Sequence, residues 1–397
     1  MKILIAGGGI GGLTAALSLV EHGYTVRVVE RAPEIGEVGA GIQLSPNAMQ
    51  VMKALRLDPA LTVRGVEPEA IELRMGVSGL RLIRTELGEA ARQRWGAPYL
   101  HIHRADLIET LQSALDERAP GSIQLGASVE SYQCDESGIR ARLQDGSEIA
   151  GDVLIGADGI HSAIRAQMIG PDAPVFTGNV AWRTVVPVSR LGSNAPDRVA
   201  CAWMGRGRHA VTYLLKGGTH ANFVGVVEQR TWTEESWSQT GDRKSALADF
   251  EGWHPRITQL IEQSDALFRW ALFDRPPLPR WTDGRVALLG DAAHPMLPFI
   301  AQGAAMAIED GWTLARCLTE GRDQGDAVAV ALQRYQNRRL ARATAMQSRS
   351  RVNAGLFHRR NTLSQLATYA PIWTVGRVRP ETALRRFDPI YGHDVTA

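Results

Sequence analysis

The run Gly7-Gly8-Gly9-Ile10-Gly11-Gly12 has the spacing G-x-G-x-x-G and stands between an apolar stretch, Lys2 to Ala6, and a helix-patterned one, Leu13 to His22. In that setting each glycine has a separate role, since Gly7 permits a tight turn, Gly9 lets a pyrophosphate approach the backbone, and Gly12 lets helix and strand pack closely. The helix N-terminus then presents unpaired N–H groups and the positive end of its dipole to the phosphates. Tyr24 to Val29 reads as a second strand ending in Glu30, with Arg31 next to it. An acid at that point is placed to hold ribose hydroxyls. Glu30 alone would read as a solvated strand-end carboxylate, but strand, turn, helix, strand and acid occur here in order.

Two more acids stand at junctions of strand and turn. Asp152 to Gly156 is a strand pattern followed by Ala157-Asp158-Gly159 and a short helical stretch. Asp158 can cap that stretch, and an acid at the C-terminal end of a strand lies on the ligand edge of an open sheet, although a bare Asp-Gly is also an ordinary turn. Val286 to Leu289 is a strand broken by Gly290-Asp291-Ala292-Ala293-His294-Pro295, and Pro298 to Asp310 then starts a helix with small residues, Gly303 and Ala304 among them. Small residues at a helix N-terminus let a flat ring approach the backbone N–H groups.

The pattern that must position these groups is α/β: a Rossmann-like nucleotide-binding domain, an antiparallel-sheet substrate domain and C-terminal helices. The boundaries read as 1–175 and 282–325 for the first, 176–281 for the second and 326–397 for the third. The glycine-rich segment from Gly36 to Asn47, which contains Gln43, leads into a helix over Ala48 to Leu55, and a long interruption follows. A helix opens at Ile102 to Leu107, with Arg104 ahead of its apolar face. Segments around Ile123 to Leu125, Ser128 to Gln133 and Ile139 to Leu143 predict a small antiparallel hairpin unit. Between Val180 and Trp270, alternating runs at Val180 to Pro187, Val199 to Met204, His209 to Leu215 and Asn222 to Glu228 predict the second sheet. From Ala327 to Asn353 the chain predicts one or two amphipathic helices whose arginines, Arg334, Arg338, Arg339, Arg342, Arg349 and Arg351, form a solvated face, with a dimer contact or an anion-steering surface as the lesser readings.

Composition bounds the rest. The 397 residues, 44% hydrophobic and 22% charged, are those of a globular enzyme-sized body. With 44 basic and 42 acidic residues and a net charge of +2, no field argues for nucleic acid. Cys134, Cys201 and Cys317 are few and scattered, which predicts reduced thiols, a cytoplasmic protein and no metal site. The N-terminal apolar run is too short for a secretory signal, and no stretch has the length of a membrane span.

Taken together, the glycine turn, the Asp158-Gly159 pair and the Gly290-Asp291 pair resemble the three fingerprints of the flavoprotein aromatic hydroxylases, in family order and over nearly the whole chain. Salicylate hydroxylase, 3-hydroxybenzoate 6-hydroxylase and 6-hydroxynicotinate 3-monooxygenase belong to that family. The segments Phe250 to Pro255 and Asp274 to Trp281 look most like the last of these. The resemblance implies an FAD held by Gly7, Gly9, Gly12, Glu30, Arg31, Gln43, Arg104, Asp158, Asp291, Gly303 and Ala304, with Asp158 at the junction of flavin and nicotinamide. It implies NADH or NADPH as a transient co-substrate, since no second G-x-G-x-x-G has the strand-turn-helix setting. It also implies that O2, captured on the reduced flavin as a C4a-hydroperoxide, hydroxylates a small aromatic acid, in a monomer or homodimer. The family's Gly-Gln-Gly before an Asn is here Ala301-Gln302-Gly303, with Ala305 in the Asn position.

By the same resemblance Tyr213 and His209 project towards the substrate ring as the groups that bind or deprotonate its hydroxyl. Strand alternation puts Val211, Tyr213 and Leu215 on one face, suited to a dry slot. The plainer readings are a half-buried strand residue for Tyr213 and a turn residue for His209. Arg183, in an Ala-Trp-Arg strand, is a partner for flavin or carboxylate, or a plain sheet ion pair. Two other classes stay open on sequence: a flavin enzyme of halogenase or reductase chemistry, and a non-enzymatic dinucleotide-fold binding protein. The Trp-x-Trp-x-Ile-Pro segment of tryptophan-type halogenases is absent, and a binding protein has no need of the Gly290-Asp291 motif.

Overall fold

The computed structural model describes residues 1–34, 40–135, 138–229, 240–359, 361–378 and 380–397. Part of the glycine-rich segment that begins at Gly36 therefore lies outside the described residues. Ile3, Leu4 and Ile5 are fully buried, as a strand covered on both faces requires. Lys2–Ala6 sits at the centre of a sheet whose order is Thr282–Asp283, Val286–Leu288, Val153–Gly156, Lys2–Ala6, Thr25–Val29, Ile123–Gln124. All pairs in it are parallel except the first. Ile123–Gln124 thus extends this parallel sheet instead of joining a hairpin, because it pairs with Val28 and Val29. The predicted hairpin unit is a meander of Val129–Asp135, Gly138–Leu143 and Glu148–Gly151.

A second sheet of seven strands runs Phe268–Asp274, Val175–Pro187, His220–Glu228, Arg208–Leu215, Val199–Gly205, Ala70–Met75, Arg81–Glu86. Its last two strands come from the stretch that read as an interruption, and they make the sheet mixed, since Ala70–Met75 runs parallel to Val199–Gly205. Arginines and glutamates at alternate positions hid them: Glu72, nearly buried, is bridged by Arg74, Arg81 and Arg84. Likewise Leu100–His103 is a strand, paired with Gly41–Leu44, before the helix Arg104–Arg118 begins.

The helix Gly303–Gln324 ties these layers together. It crosses the helix Ile10–Glu21 so closely that a Cβ on Gly311 would lie 2.7 Å from the backbone nitrogen of Ala15. On its other side lies the long helix Val328–Phe357, where Arg338 and Arg349 are exposed as expected but the solvated reading is corrected for Arg339 and Arg342. Arg339 is 1% exposed and meets both Glu309 and Asp310, while Arg342 grips Glu309 at 2.8 Å. A fully buried arginine needs buried anions, and the sequence supplies them as an adjacent Glu-Asp pair on the facing helix. Asn47 Nδ2 donates to Glu309 at 2.6 Å, Gly290 N donates to Asp310 at 3.0 Å, and His294 Nε2 meets the same Asp310 carboxylate. Burial alone would raise the Asp310 carboxyl, but His294 and Arg339 outweigh it and hold its pKa at about 2. The C-terminal turn Asp388–Tyr391 is clasped by Arg342, which donates to the carbonyls of Pro389 and Ile390, and by Arg94 and Trp95 on Asp388.

Replacing Arg339 leaves two buried carboxylates without their main partner, so Arg339→Met should cost ~3–5 kcal/mol at neutral pH. Because the folded pKa of Asp310 is depressed, its stabilising contribution is complete above the unfolded value near ~4 and is lost as pH falls from there towards about 2. Urea midpoints measured across that range should fall with pH in the wild type. The gap between wild type and variant should narrow as acid neutralises the carboxyls. Equal midpoints at neutral pH would mean that the cluster does not stabilise the fold.

Candidate active site

The C-terminal ends of Lys2–Ala6, Val153–Gly156 and Val286–Leu288 open into a cleft of about 370 Å³ that the second sheet closes from the other side. One wall carries Gly9, Arg104, Asp291, Gly303 and Ala304, and the facing wall carries His209, Val211, Tyr213, Val226 and Trp270. The first wall is built from turns and a helix N-terminus, and the second from a strand face.

Each glycine of the first turn has a distinct geometry. Gly7 has φ of +107°, in the region that favours glycine, and a Cβ on Gly12 would lie 2.0 Å from the Gly7 carbonyl oxygen. Gly9 has φ of −75°, lines the cleft, and among the described residues has nothing within 4 Å of where its Cβ would stand. A side chain there would take up open cleft space at the N-cap of Ile10–Glu21, where a phosphate group fits. Glu30 braces the turn: its carboxylate accepts from Gly8 N at 2.6 Å and Ala32 N at 2.9 Å. Arg31 is exposed, and neither it nor Glu30 is among the residues that line the cleft.

Asp158 caps the helix Ala163–Ile169, accepting from Ala163 N at 2.8 Å, while its other oxygen is buried without a hydrogen-bond partner among the described residues. Burial raises its pKa, against Ser162 and the backbone N–H groups of that helix. Asp291 is exposed to the cleft by surface area yet lies deep between its walls. Those walls raise its carboxyl pKa, and His294 and Arg104 pull it down. Gln43 lines the cleft and accepts from the Tyr99 hydroxyl at 2.6 Å. Gly303 and Ala304 open the helix Gly303–Gln324 directly onto the cleft, preceded by Ala301 at φ of +51°. A glycine-lined anion cradle, an unpaired buried carboxylate oxygen and a helix N-terminus bare of side chains fit a flavin dinucleotide.

On the facing wall Tyr213 and His209 are strand residues on the cleft side, with Val211 between them. Burial pushes the Tyr213 hydroxyl well up from its ordinary pKa, with Arg183 opposing, and it keeps His209 well below its own, helped by His358. Arg183 lies over the Trp270 ring at 3.8 Å, so its guanidinium is held flat against the apolar wall. Sequence reasoning missed two residues here. His101 is 1% exposed, its ring 4.5 Å from that of Tyr213, and burial lowers its pKa to about 3. His358 Nε2 is 2.7 Å from His209 Nδ1. No local pattern marks either residue, because both contacts form only when distant segments meet. Trp253 and His254 from the segment Phe250 to Pro255 have packing roles: Trp253 fills the space over Gly76 and Gly205, and His254 caps Pro255–Glu262. Among the described residues no cluster of His, Cys, Asp and Glu is arranged to hold a metal ion, and no helix is long and apolar enough to cross a membrane.

Residues 1–350 match the protein family described as FAD binding domain. The chain is 38% identical over 358 residues to the 3-amino-4-hydroxybenzoate 2-monooxygenase PtmB3 of Streptomyces platensis, covering 90% of this chain and 88% of that protein. It is 39% identical over 359 residues to the 3-hydroxybenzoate 6-hydroxylase of Polaromonas naphthalenivorans (strain CJ2), with coverage of 90% and 88%. Klebsiella pneumoniae HpxO complexed with FAD and uric acid superposes with a TM-score of 0.84 at 28% identity, over 97% of each chain. The chain belongs to the FAD-dependent aromatic hydroxylases. It is a flavoprotein monooxygenase, with FAD as cofactor and NAD(P)H as co-substrate.

The glycine geometry separates folding from binding. Gly9→Ala should leave the stability of the flavin-free protein within ~0.5 kcal/mol while weakening FAD binding by ~10-fold or more, the loss of about one good contact. Gly12→Ala should destabilise the fold itself. Flavin titration and thermal melts of both variants test this, and undiminished FAD affinity in Gly9→Ala would remove Gly9 from the phosphate site.

Proposed function

We propose that this enzyme hydroxylates a small aromatic carboxylic acid that already bears a ring hydroxyl, and that Tyr213 and His209 handle that hydroxyl. The observation that carries the reading is the facing of the two walls: a glycine turn and helix N-terminus on one side, an apolar slot with Tyr213, His209 and Arg183 on the other. The substrates named for the relatives, 3-hydroxybenzoate and 3-amino-4-hydroxybenzoate, support the same class. Gly9, Arg104, Asp291, Gly303 and Ala304 would hold the FAD, with Glu30 at the ribose and Asp158 beside the nicotinamide approach. Bound FAD supplies the capture of O2 and the transfer of one oxygen atom after reduction by NAD(P)H.

The side chains do the remaining work. An electrophilic oxygen attacks an electron-rich ring, so the protein's main chemical contribution is to remove the proton from the ring hydroxyl. Val211, Val226 and Trp270 keep water out of the slot, which protects a reactive oxygen from wasteful loss as H2O2. Arg183 is placed to meet the substrate carboxylate, and Tyr213 to share a hydrogen bond with the ring oxygen. The rise in its own pKa keeps Tyr213 a neutral donor.

The test is a panel of 3-hydroxybenzoate, salicylate and 6-hydroxynicotinate, scored for NADH and NADPH oxidation coupled to product. Stimulated oxidation with none of the hydroxylated acids, or with unhydroxylated benzoate just as well, would sink the substrate class. Asp291→Ala should lose flavin on dialysis, and full retention would take Asp291 out of the cofactor site. Tyr213→Phe should keep flavin and its reduction while product formation falls by ~10-fold or more and O2 is diverted to H2O2. Unchanged coupling would assign Tyr213 to packing.

A further inference from the structure

We propose that His358 and Glu228 complete a proton relay that sets the tautomer of His209 and carries the substrate's hydroxyl proton from the cleft to solvent. This rests on the reading of His209 as a group that meets the substrate hydroxyl.

His209 is 2% exposed and lines the cleft, and its Nδ1 is engaged with Nε2 of His358 at 2.7 Å. His358 is the C-cap of the long helix Val328–Phe357, and its own Nδ1 stands 3.4 Å from Oε1 of Glu228. Glu228 ends the strand His220–Glu228, with its side chain 30% exposed, beside a second opening bordered by Gly178, Asn361 and Ser364. The rings of Phe299 and Phe357 pack against that of His209 at 5.4 Å and 4.9 Å. Three titratable groups from two strands and one helix end thus form a single file from a dry cleft to water.

The far end of the file dictates the near end. A carboxylate only accepts, so Glu228 fixes the His358 proton on Nδ1, and Nε2 of His358 becomes an acceptor. His209 must then donate through Nδ1–H, which leaves the lone pair on its Nε2 for the cleft. That tautomer is the one a base requires, and without the partner the ring would be free to carry its proton on the wrong nitrogen.

In the forward direction the substrate O–H bond breaks and an N–H bond forms at Nε2 of His209. The Nδ1 proton of His209 passes to Nε2 of His358, the Nδ1 proton of His358 passes to Glu228, and the carboxyl releases it to water. Buried among aromatic rings, His209 holds an added positive charge poorly, so it accepts a proton only as it passes one on. Reprotonation of the product from Nε2 runs the same shifts backwards and restores the starting tautomers.

The first measurement needs no substrate. In the oxidised holoenzyme labelled with ¹⁵N-histidine, NMR should show His209 and His358 both protonated on Nδ1, and Glu228→Gln should mix the tautomers of both rings. His209 protonated on Nε2 in the wild type overturns the relay. The second uses 3-hydroxybenzoate, with phenol ionisation followed by ultraviolet difference absorbance and proton release by an indicator dye in stopped flow. His358→Gln and Glu228→Gln should slow both signals by ~10-fold or more, within the range for losing a positioned proton-transfer group, with flavin content and benzoate affinity unchanged. Imidazole added to His358→Ala should restore the rate. Wild-type rates in both variants overturn the relay but leave His209 as the base, whereas wild-type ionisation in His209→Gln overturns the base itself.

Discussion

The buried meeting of Arg339 with Glu309 and Asp310 is the interaction on which the rest of the site depends. Desolvating three charges is expensive, and the cost is offset only because every carboxylate oxygen in the cluster finds a cation or an N–H group. The partners come from four separate places: the turn after Leu289, the segment at Asn47, the helix Gly303–Gln324 and the long helix Val328–Phe357. Gly290 N and His294 both bind Asp310, so the position of the turn that bears Asp291 is set by a carboxylate one layer below it. The same helix that carries Glu309 and Asp310 presents Gly303 and Ala304 to the cleft. A buried charge cluster, costly for stability, thereby fixes the distance between the acidic turn and the bare helix N-terminus, both of which line the cleft.

The second constraint is the join between the two sheets. Gly41 N donates to Asn222 Oδ1 at 2.9 Å, and a Cβ on Gly41 would stand 2.6 Å from the Tyr213 ring. Glycine is required there because the backbone of the cofactor half lies directly on an aromatic side chain of the substrate half. The orientation of Tyr213 is therefore set from both sides, by Gly41 and by the His101 ring. His101 has no hydrogen-bond partner among the described residues, and its low pKa keeps it a neutral, flat packing surface at physiological pH.

What was legible in the sequence was whatever a short segment decides by itself. The glycine turn, the strand ending in Glu30, the Gly290-Asp291 break and the cleft-facing side of Val211 and Tyr213 are each fixed by backbone geometry or by alternation within a few residues. What was not legible depends on contact between remote segments. The arginines of the long helix have the spacing of a solvated face, and only the Glu309-Asp310 pair opposite turns Arg339 and Arg342 inward. The strands Ala70–Met75 and Arg81–Glu86 carry so many charged residues that their alternation does not stand out, yet the charges pair across the ladder around Glu72 and let the strands extend the sheet.

The two walls of the cleft divide polar work in a way that follows from where each is anchored. The cofactor wall offers backbone N–H groups and carboxylates held by a rigid ionic layer, which suits a large ligand that stays bound. The substrate wall offers apolar side chains with few polar atoms, and its polar groups are braced: Tyr213 by Gly41 in the lining and His101 outside it, Arg183 by Trp270 in the wall itself, His209 by His358 outside the lining. A small substrate that enters and leaves at every turnover needs little gross affinity but a fixed direction for each hydrogen bond. Bracing each group by a glycine, an aromatic ring or a histidine outside the lining achieves this with few added polar atoms inside the cleft, where they would bring water to the reacting ring. The low polarity of the slot and the fixed direction of its polar groups therefore have one cause: they are braced by a glycine, an indole ring and two histidines that stand outside the cleft lining.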